Sequence, residues 1–113
     1  MKKEYRIKKS SEIDAVFKSR KSKNNQYYGI HFKINKKNSH FRYAVSIGKK
    51  YGNAVERNLA KRRIRMIVLE FNEKFNKTYD FVIVIKPASS KLDFQSMRMN
   101  ILELLKKIRI MEN

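Results

Sequence analysis

A chain of 113 residues, 42% apolar and 12% aromatic, holds one ordinary hydrophobic core and is short for two, so residues 1–113 are expected to form a single domain. Its 28 Lys and Arg against 10 Asp and Glu leave a net charge of +18, a surface that repels itself and needs a polyanionic partner. The lack of Cys excludes disulfides, a cysteine nucleophile and thiolate metal sites, and no apolar run approaches the roughly 18 residues of a membrane span or the core of a signal peptide, so a soluble, cytoplasmic protein away from membranes is expected.

Residues 1–9 carry Lys2, Lys3, Arg6, Lys8 and Lys9 against Glu4 alone and read as a basic arm. Ser10 or Ser11 then suits the cap of a short helix ending near Ser19, with Ile13, Val16 and Phe17 on one face. Arg20 to Asn25 has no apolar residue and reads as a loop. From Tyr27 to Ile34 the pattern alternates: Tyr28, Ile30, Phe32 and Ile34 share one face of a strand, and Tyr27, Gly29, His31 and Lys33 the other. Asn35 to Ser39 is a polar turn and Phe41 to Ile47 alternates again, so the two runs are expected to pair as an antiparallel hairpin.

After the Gly-containing loop Gly48 to Asn53, the repeat lengthens to about 3.6 residues from Ala54 to Phe75, with Ala60, Ile64, Ile67, Val68, Phe71 and Phe75 as one apolar stripe. Tyr79 to Ile85 is an almost unbroken β-branched and aromatic run, the pattern of a strand covered on both faces. Asp93 then caps a last helix whose stripe is Phe94, Met97, Ile101, Leu104, Leu105 and Ile108. The order αββαβα implies an α+β sandwich, a small sheet packed by helices with the apolar strand near its centre.

The charge is concentrated between Lys49 and Arg65, where Lys49, Lys50, Arg57, Lys61, Arg62, Arg63 and Arg65 face only Glu56. Arg57, Lys61 and Arg65 recur at i, i+4 and i+8 along one flank of the apolar stripe, with Asn58 and Arg62 beside them. A solvated helix face ordinarily interleaves acids at i+4, and this one does not. Uncompensated arginines suit bidentate contact with phosphate and stacking on bases. The Gly52-Asn53 loop ahead of the helix offers backbone amides as a phosphate cradle.

The run Lys49-Lys50-Tyr51-Gly52-Asn53-Ala54-Val55-Glu56-Arg57-Asn58-Leu59-Ala60-Lys61-Arg62-Arg63-Ile64-Arg65 resembles the signature helix of one family, the protein subunit of bacterial ribonuclease P. The pattern fixes about ten positions and their intervals, which a generic basic run does not. The resemblance spans the chain, from Arg6 and Lys8-Lys9 through Val16-Phe17 and Ser46 to Lys86-Pro87-Ala88. It implies an αβββαβα fold with a left-handed crossover around the signature helix, and a non-catalytic subunit of a ribonucleoprotein endonuclease that matures the 5′ end of tRNA. Its partners would be the catalytic RNA, which does the cutting and holds most of the Mg²⁺, and precursor tRNA.

Carried over to this chain, the resemblance assigns RNA contact to Lys49, Lys50, Asn53, Arg57, Asn58, Lys61, Arg62 and Arg65. It assigns the 5′ leader of precursor tRNA to a cleft between the first helix and the sheet, at Ile13, Phe17, Tyr28, Ile30 and Ser46. Ile13 and Ile30 stand where the family often has an aromatic, which leaves base stacking to Phe17 and Tyr28.

Other classes fit less well. A general RNA binder held only by charge would tolerate loss of Phe17 and Tyr28. A DNA-binding regulator lacks the first helix of a helix-turn-helix, since a strand and loop precede the basic helix, and no DNA partner is expected. His31 and His40 would act as acid and base on RNA only if the hairpin brought them together, and exposed Glu70 and Glu73 ordinarily hold no cation. No P-loop or nucleophilic triad pattern occurs, so no catalytic or metal-ligating residue is expected in the protein.

Overall fold

A computed structural model describes residues 3–111; Met1 and Lys2 of the basic arm lie outside the described residues. The elements run α1 (Ser10–Lys18), β1 (Ser22–Asn24), β2 (Tyr28–Ile34), β3 (Arg42–Ile47), α2 (Ala54–Glu70), β4 (Tyr79–Ile85) and α3 (Phe94–Lys107), the αβββαβα order. One four-stranded sheet has the order β1-β2-β4-β3. β4 pairs antiparallel with β2 and parallel with β3, so the β3-α2-β4 connection is a crossover over one face of the sheet.

The expected hairpin between β2 and β3 does not form. β4, the most apolar strand, sits between them and takes hydrogen bonds on both edges, Ile30 opposite Ile83 on one side and Val45 opposite Ile83 on the other. A strand buried on both faces gains most from two neighbours, and the long connection through α2 lets it arrive late in sequence yet central in space. The polar stretch read as a loop contains β1, an edge strand pairing Ser22 with His31 and Asn24 with Gly29. Its side chains are exposed or half-buried, so no hydrophobic alternation marked it. An edge strand bearing Lys23 is protected against further pairing.

Two apolar layers flank the sheet. On one face Tyr28, Ile30, Tyr43, Phe81, Ile83 and Ile85 meet Ala60, Ile64, Ile67 and Val68 of α2 and Met97, Ile101, Leu104 and Leu105 of α3. On the other, Val82 and Val16 pack with Ile7, Ile13, Phe17, Ala44 and Val84. The α2 helix ends at Glu70, short of the expected Phe75, because the chain turns at Phe71 (φ −110°, ψ 16°) into a one-turn 3₁₀ helix. Phe75 still reaches the core, through an aromatic cluster with Phe41 and Phe81 at centroid distances of 4.8 and 5.6 Å.

The helix starts divide the cap expectations. Asp93 accepts from the Ser96 amide at 2.8 Å, as expected. For α1 the N-cap residue is Lys9, without a side-chain cap bond, and Ser10 is already helical. The start is held elsewhere: Glu12 pairs with Arg42 at 2.8 Å, and Arg42 in turn grips buried Asp80 at 2.8 and 3.1 Å. The far end of α1 is tied by the Ser19 hydroxyl, 2.6 Å from Val16 O and 2.8 Å from Phe32 O on β2. The arm is docked at its inner end, since Ile7 is buried and its amide donates to Tyr43 O at 2.8 Å, extending the β3 edge.

Candidate nucleic-acid interface

The register of the sheet decides which side chains share a face with α1. Rows across β2, β4 and β3 on that face read Lys33–Asp80–Arg42, His31–Val82–Ala44 and Gly29–Val84–Ser46. The helix ties its start to the first row through Glu12 and packs Val16 and Phe17 on the second. The third row extends past it, with Ser46 exposed and Val84 half-buried. It leaves a strip of sheet beside the half-buried Ile13 and Phe17 of α1. At its β2 side Gly29 passes under Asn24, and a Cβ there would collide with the Asn24 side chain.

Of the five residues assigned to the leader cleft, Ile13, Phe17 and Ser46 lie on this face and Tyr28 and Ile30 do not. Both are fully buried on the opposite face, packed under α2 and α3. The strand's alternation was legible; the sheet is covered on both sides, and the periodicity alone cannot say which face α1 covers. Burial pushes the Tyr28 phenol up to about 12. The position that faces α1 is His31, whose ring lies 4.6 Å from that of Phe17 at an interplanar angle of 60°. Burial, then the charge of Lys86, holds its imidazole below the usual histidine range, so it is neutral at pH 7. The signal for His31 was present in the sequence as the face opposite Tyr28 and Ile30.

The basic ridge is solvent-facing along α2 and the turn before it. Lys49, Lys50, Asn53, Asn58 and Arg62 are exposed, and Arg57, Lys61 and Arg65 are half-buried along the flank of the core stripe. Among the described residues, none of these cations is ion-paired: the carboxylates that pair are Glu12, Glu70, Asp80 and Glu103, all bound to Arg42, Arg98 or Lys107. The ridge therefore meets solvent with its full charge.

The expected phosphate cradle is occupied by the protein itself. Asn53 Oδ1 accepts from the Glu56 amide at 2.8 Å and Glu56 Oε1 accepts from the Asn53 amide at 3.0 Å, a closed capping box. A Cβ at Gly52 would lie 2.7 Å from Glu56 Oε1 and push that carboxylate from the box, and the Arg57 guanidinium folds back to donate to Gly52 O at 3.0 Å. Glycine and asparagine thus set the start of the ridge helix, and the Asn53 and Glu56 amides are already taken within the box. Asn53→Ala is expected to cost about 1 kcal/mol of stability, measurable as a lowered urea midpoint at unchanged slope.

The remaining sequence candidates separate. His31 faces α1, while the His40 ring lies 4.5 Å from that of Tyr5, tilted by 55°, so the absent hairpin leaves no histidine pair. Glu70 is engaged by Arg98 at 2.6 to 3.2 Å, and that pairing holds its carboxyl below the usual range. Among the described residues no three His, Asp or Glu converge as metal ligands.

A mixed sheet covered by helices on both faces, with an acid-poor basic ridge along α2, defines a class of small, strongly basic α+β proteins. Comparison with known proteins narrows the class. The family model described as Ribonuclease P matches residues 1–109. The chain is 49% identical over 112 residues to the ribonuclease P protein component of Acholeplasma laidlawii, covering 99% of this chain and 96% of that one. The RNase P protein of Staphylococcus aureus superposes with a TM-score of 0.90 at 27% identity, over 96% of this chain and 98% of that chain. That of Thermotoga maritima gives 0.81 at 28%, over 90% and 96%. The chain belongs to the ribonuclease P protein family.

Proposed function

We propose that this protein is the non-catalytic subunit of a ribonucleoprotein endonuclease, holding the catalytic RNA with the α2 ridge and the 5′ leader of precursor tRNA in a groove beside α1. The observation that carries the reading is the unpaired cationic ridge, with the side chains of the family's signature pattern, on the crossover helix whose β3 strand also supplies Ser46 to the groove. The ridge neutralises phosphate repulsion between two RNAs, a term that scales with the number of cations engaged. The groove supplies a stacking surface, Phe17 with His31, of a kind worth about 1–3 kcal/mol per base. The cationic donor set on α2 does not suit a metal, and Glu70 is committed to Arg98, so the reading leaves Mg²⁺ and the cleavage chemistry with the RNA. Among the described residues no helix is long and apolar enough to cross a membrane, in keeping with action in the cytoplasm.

Phe17→Ala and His31→Ala test the groove. Each is expected to weaken binding of precursor tRNA to the holoenzyme by about five- to 100-fold while leaving mature tRNA, which has no leader, unchanged. Equal loss for both ligands would make Phe17 a packing residue only. Because the His31 imidazole titrates below the usual histidine range, protonation adds a positive charge to the groove only as the pH falls below neutrality. Leader affinity is therefore expected to rise only as the pH falls below the ordinary histidine value in the native protein and to stay flat in His31→Ala, as read by fluorescence titration of a labelled leader.

A further inference from the structure

At the end of the sheet where the parallel strands β3 and β4 begin, away from the Gly52-Asn53 turn, lies an open pocket of about 190 Å³. Its floor is aromatic. Buried Phe41 and Phe75 meet with ring centroids 4.8 Å apart, and half-buried Tyr5 stacks on Phe41 at 4.9 Å. His40, also half-buried, stands against Tyr5, and its Nδ1 lies 2.8 Å from Phe41 O. A carbonyl only accepts, so that nitrogen carries the proton and the ring is held in one orientation. The rim is polar, with Asn72, Glu73 and Lys77 at its edge. The Asn35 amide donates to Thr78 O at 2.6 Å and so brings the turn bearing exposed Lys36 and Lys37 to the same end. Among the described residues neither these three lysines nor Glu73 is ion-paired.

We propose that this pocket takes one unpaired base of a single-stranded RNA, with the strand's phosphates running along Lys36, Lys37 and Lys77. Sequence-specific recognition of RNA stacks splayed-out bases on Phe, Tyr and His rings and reads their edges with polar side chains, and this pocket offers both kinds of group. The rim then selects the base. The Glu73 carboxylate can only accept, so it favours an edge carrying an amino group, as cytosine does at N4, over uracil, whose O4 is itself an acceptor. The volume is about that of six waters in the liquid, room for one base. The uncompensated lysines attract the backbone whatever its sequence, which makes a strand bind better than a free nucleotide. The assignment does not rest on the subunit reading, because its residues are separate from the ridge and from the α1 face. A protein that failed to stimulate the catalytic RNA would leave it standing.

The test titrates the full chain with the ribonucleotide trimers of cytidine and of uridine at constant ionic strength. The Tyr5 and His40 ring signals are followed by NMR, so that this pocket is read apart from the ridge. The expected result is saturable shifts of both rings, with the cytidine trimer bound about fivefold or more tighter than the uridine trimer and than cytidine monophosphate. Glu73→Gln, a change at an exposed side chain, is expected to abolish the preference for cytidine over uridine. His40→Ala, read at Tyr5, is expected to weaken both trimers about fivefold or more. Where His40→Ala does not keep the native amide spectrum, Glu73→Gln decides alone. Shifts confined to Arg57, Arg62 and Arg65, equal affinity of the native protein for the two trimers, or equal affinity for the cytidine trimer and the monophosphate would each overturn the proposal.

Discussion

Asp80→Asn is expected to destabilise the fold by about 3 kcal/mol, the scale for removing one member of a buried charge pair, and to lower Tm by roughly 12 °C. Asp80 is 4% exposed on β4 and accepts from Arg42 twice, from Asn38 at 2.7 Å and from Asn35 at 3.4 Å. The amide keeps the shape and loses the charge, leaving Arg42 with Glu12 alone. Burial raises the Asp80 carboxyl, but the Arg42 and Asn38 hydrogen bonds, the Arg42 charge and the Asn35 bond outweigh it, and the net shift is downward. A carboxyl lower in the folded than in the unfolded state gives stability that is complete above the ordinary aspartate value and lost as the pH falls through the folded one. Native protein should therefore lose this contribution in acid below about pH 4, and Asp80→Asn should lack that part of the acid limb. Denaturant unfolding from pH 7 to 2 reads both. Equal stability of the two proteins at pH 7 would show that the network holds nothing.

The network also has a functional consequence. Arg42 joins Asp80 in the sheet to Glu12 on α1, so it fixes the height of that helix over the sheet, and with it Phe17 over His31. Variants at Asp80 that still fold should lose discrimination for the leader before they lose affinity for the catalytic RNA, whose proposed contacts lie on α2.

The largest effect on assembly is expected from Arg57→Gln, Lys61→Gln and Arg65→Gln together. The three lie along one flank of α2, half-buried beside the core stripe of Ala60, Ile64, Ile67 and Val68 but outside it, so the helix should persist. Each lost phosphate contact lowers the slope of log affinity against log salt by about 0.7 to 0.9, or about 2 to 3 for the triple variant. At about 0.1 M salt this amounts to a loss of roughly 100-fold or more in affinity for the catalytic RNA. An unchanged slope and affinity, in a variant with native circular dichroism, would remove the ridge from the interface.

Much of the fold was legible in the residues. The 3.6-residue stripes of α2 as far as Val68 and of α3, the apolar run of β4 and the Asp93 cap stand where the pattern put them, because burial on one face imposes a period that the sequence must carry. β1 was not legible, since an edge strand held by backbone hydrogen bonds needs no apolar side chains. Strand neighbours were not legible either: β2 and β3 are adjacent in sequence and look like a hairpin, and only the competition for β4 separates them. The signature spacing identified the family, and with it the ridge. Tyr28 and Ile30, assigned to a cleft beside α1, lie on the opposite face, because both faces of β2 are covered at its start and the two sets of alternate positions carry no label for the helix above them. The Gly52-Asn53 loop likewise read as an anion cradle because the sequence pattern of a capping box and that of a phosphate loop share the same residues.

The central claim is that the protein serves the RNA and does not itself cut. It is tested most directly by cleavage of a precursor tRNA with bacterial ribonuclease P RNA at low Mg²⁺, with the protein present, absent, and alone. The account predicts strong stimulation when RNA and protein are combined, and no cleavage by protein without RNA. Cleavage by the protein alone, or no stimulation by a protein shown to be folded, would contradict it.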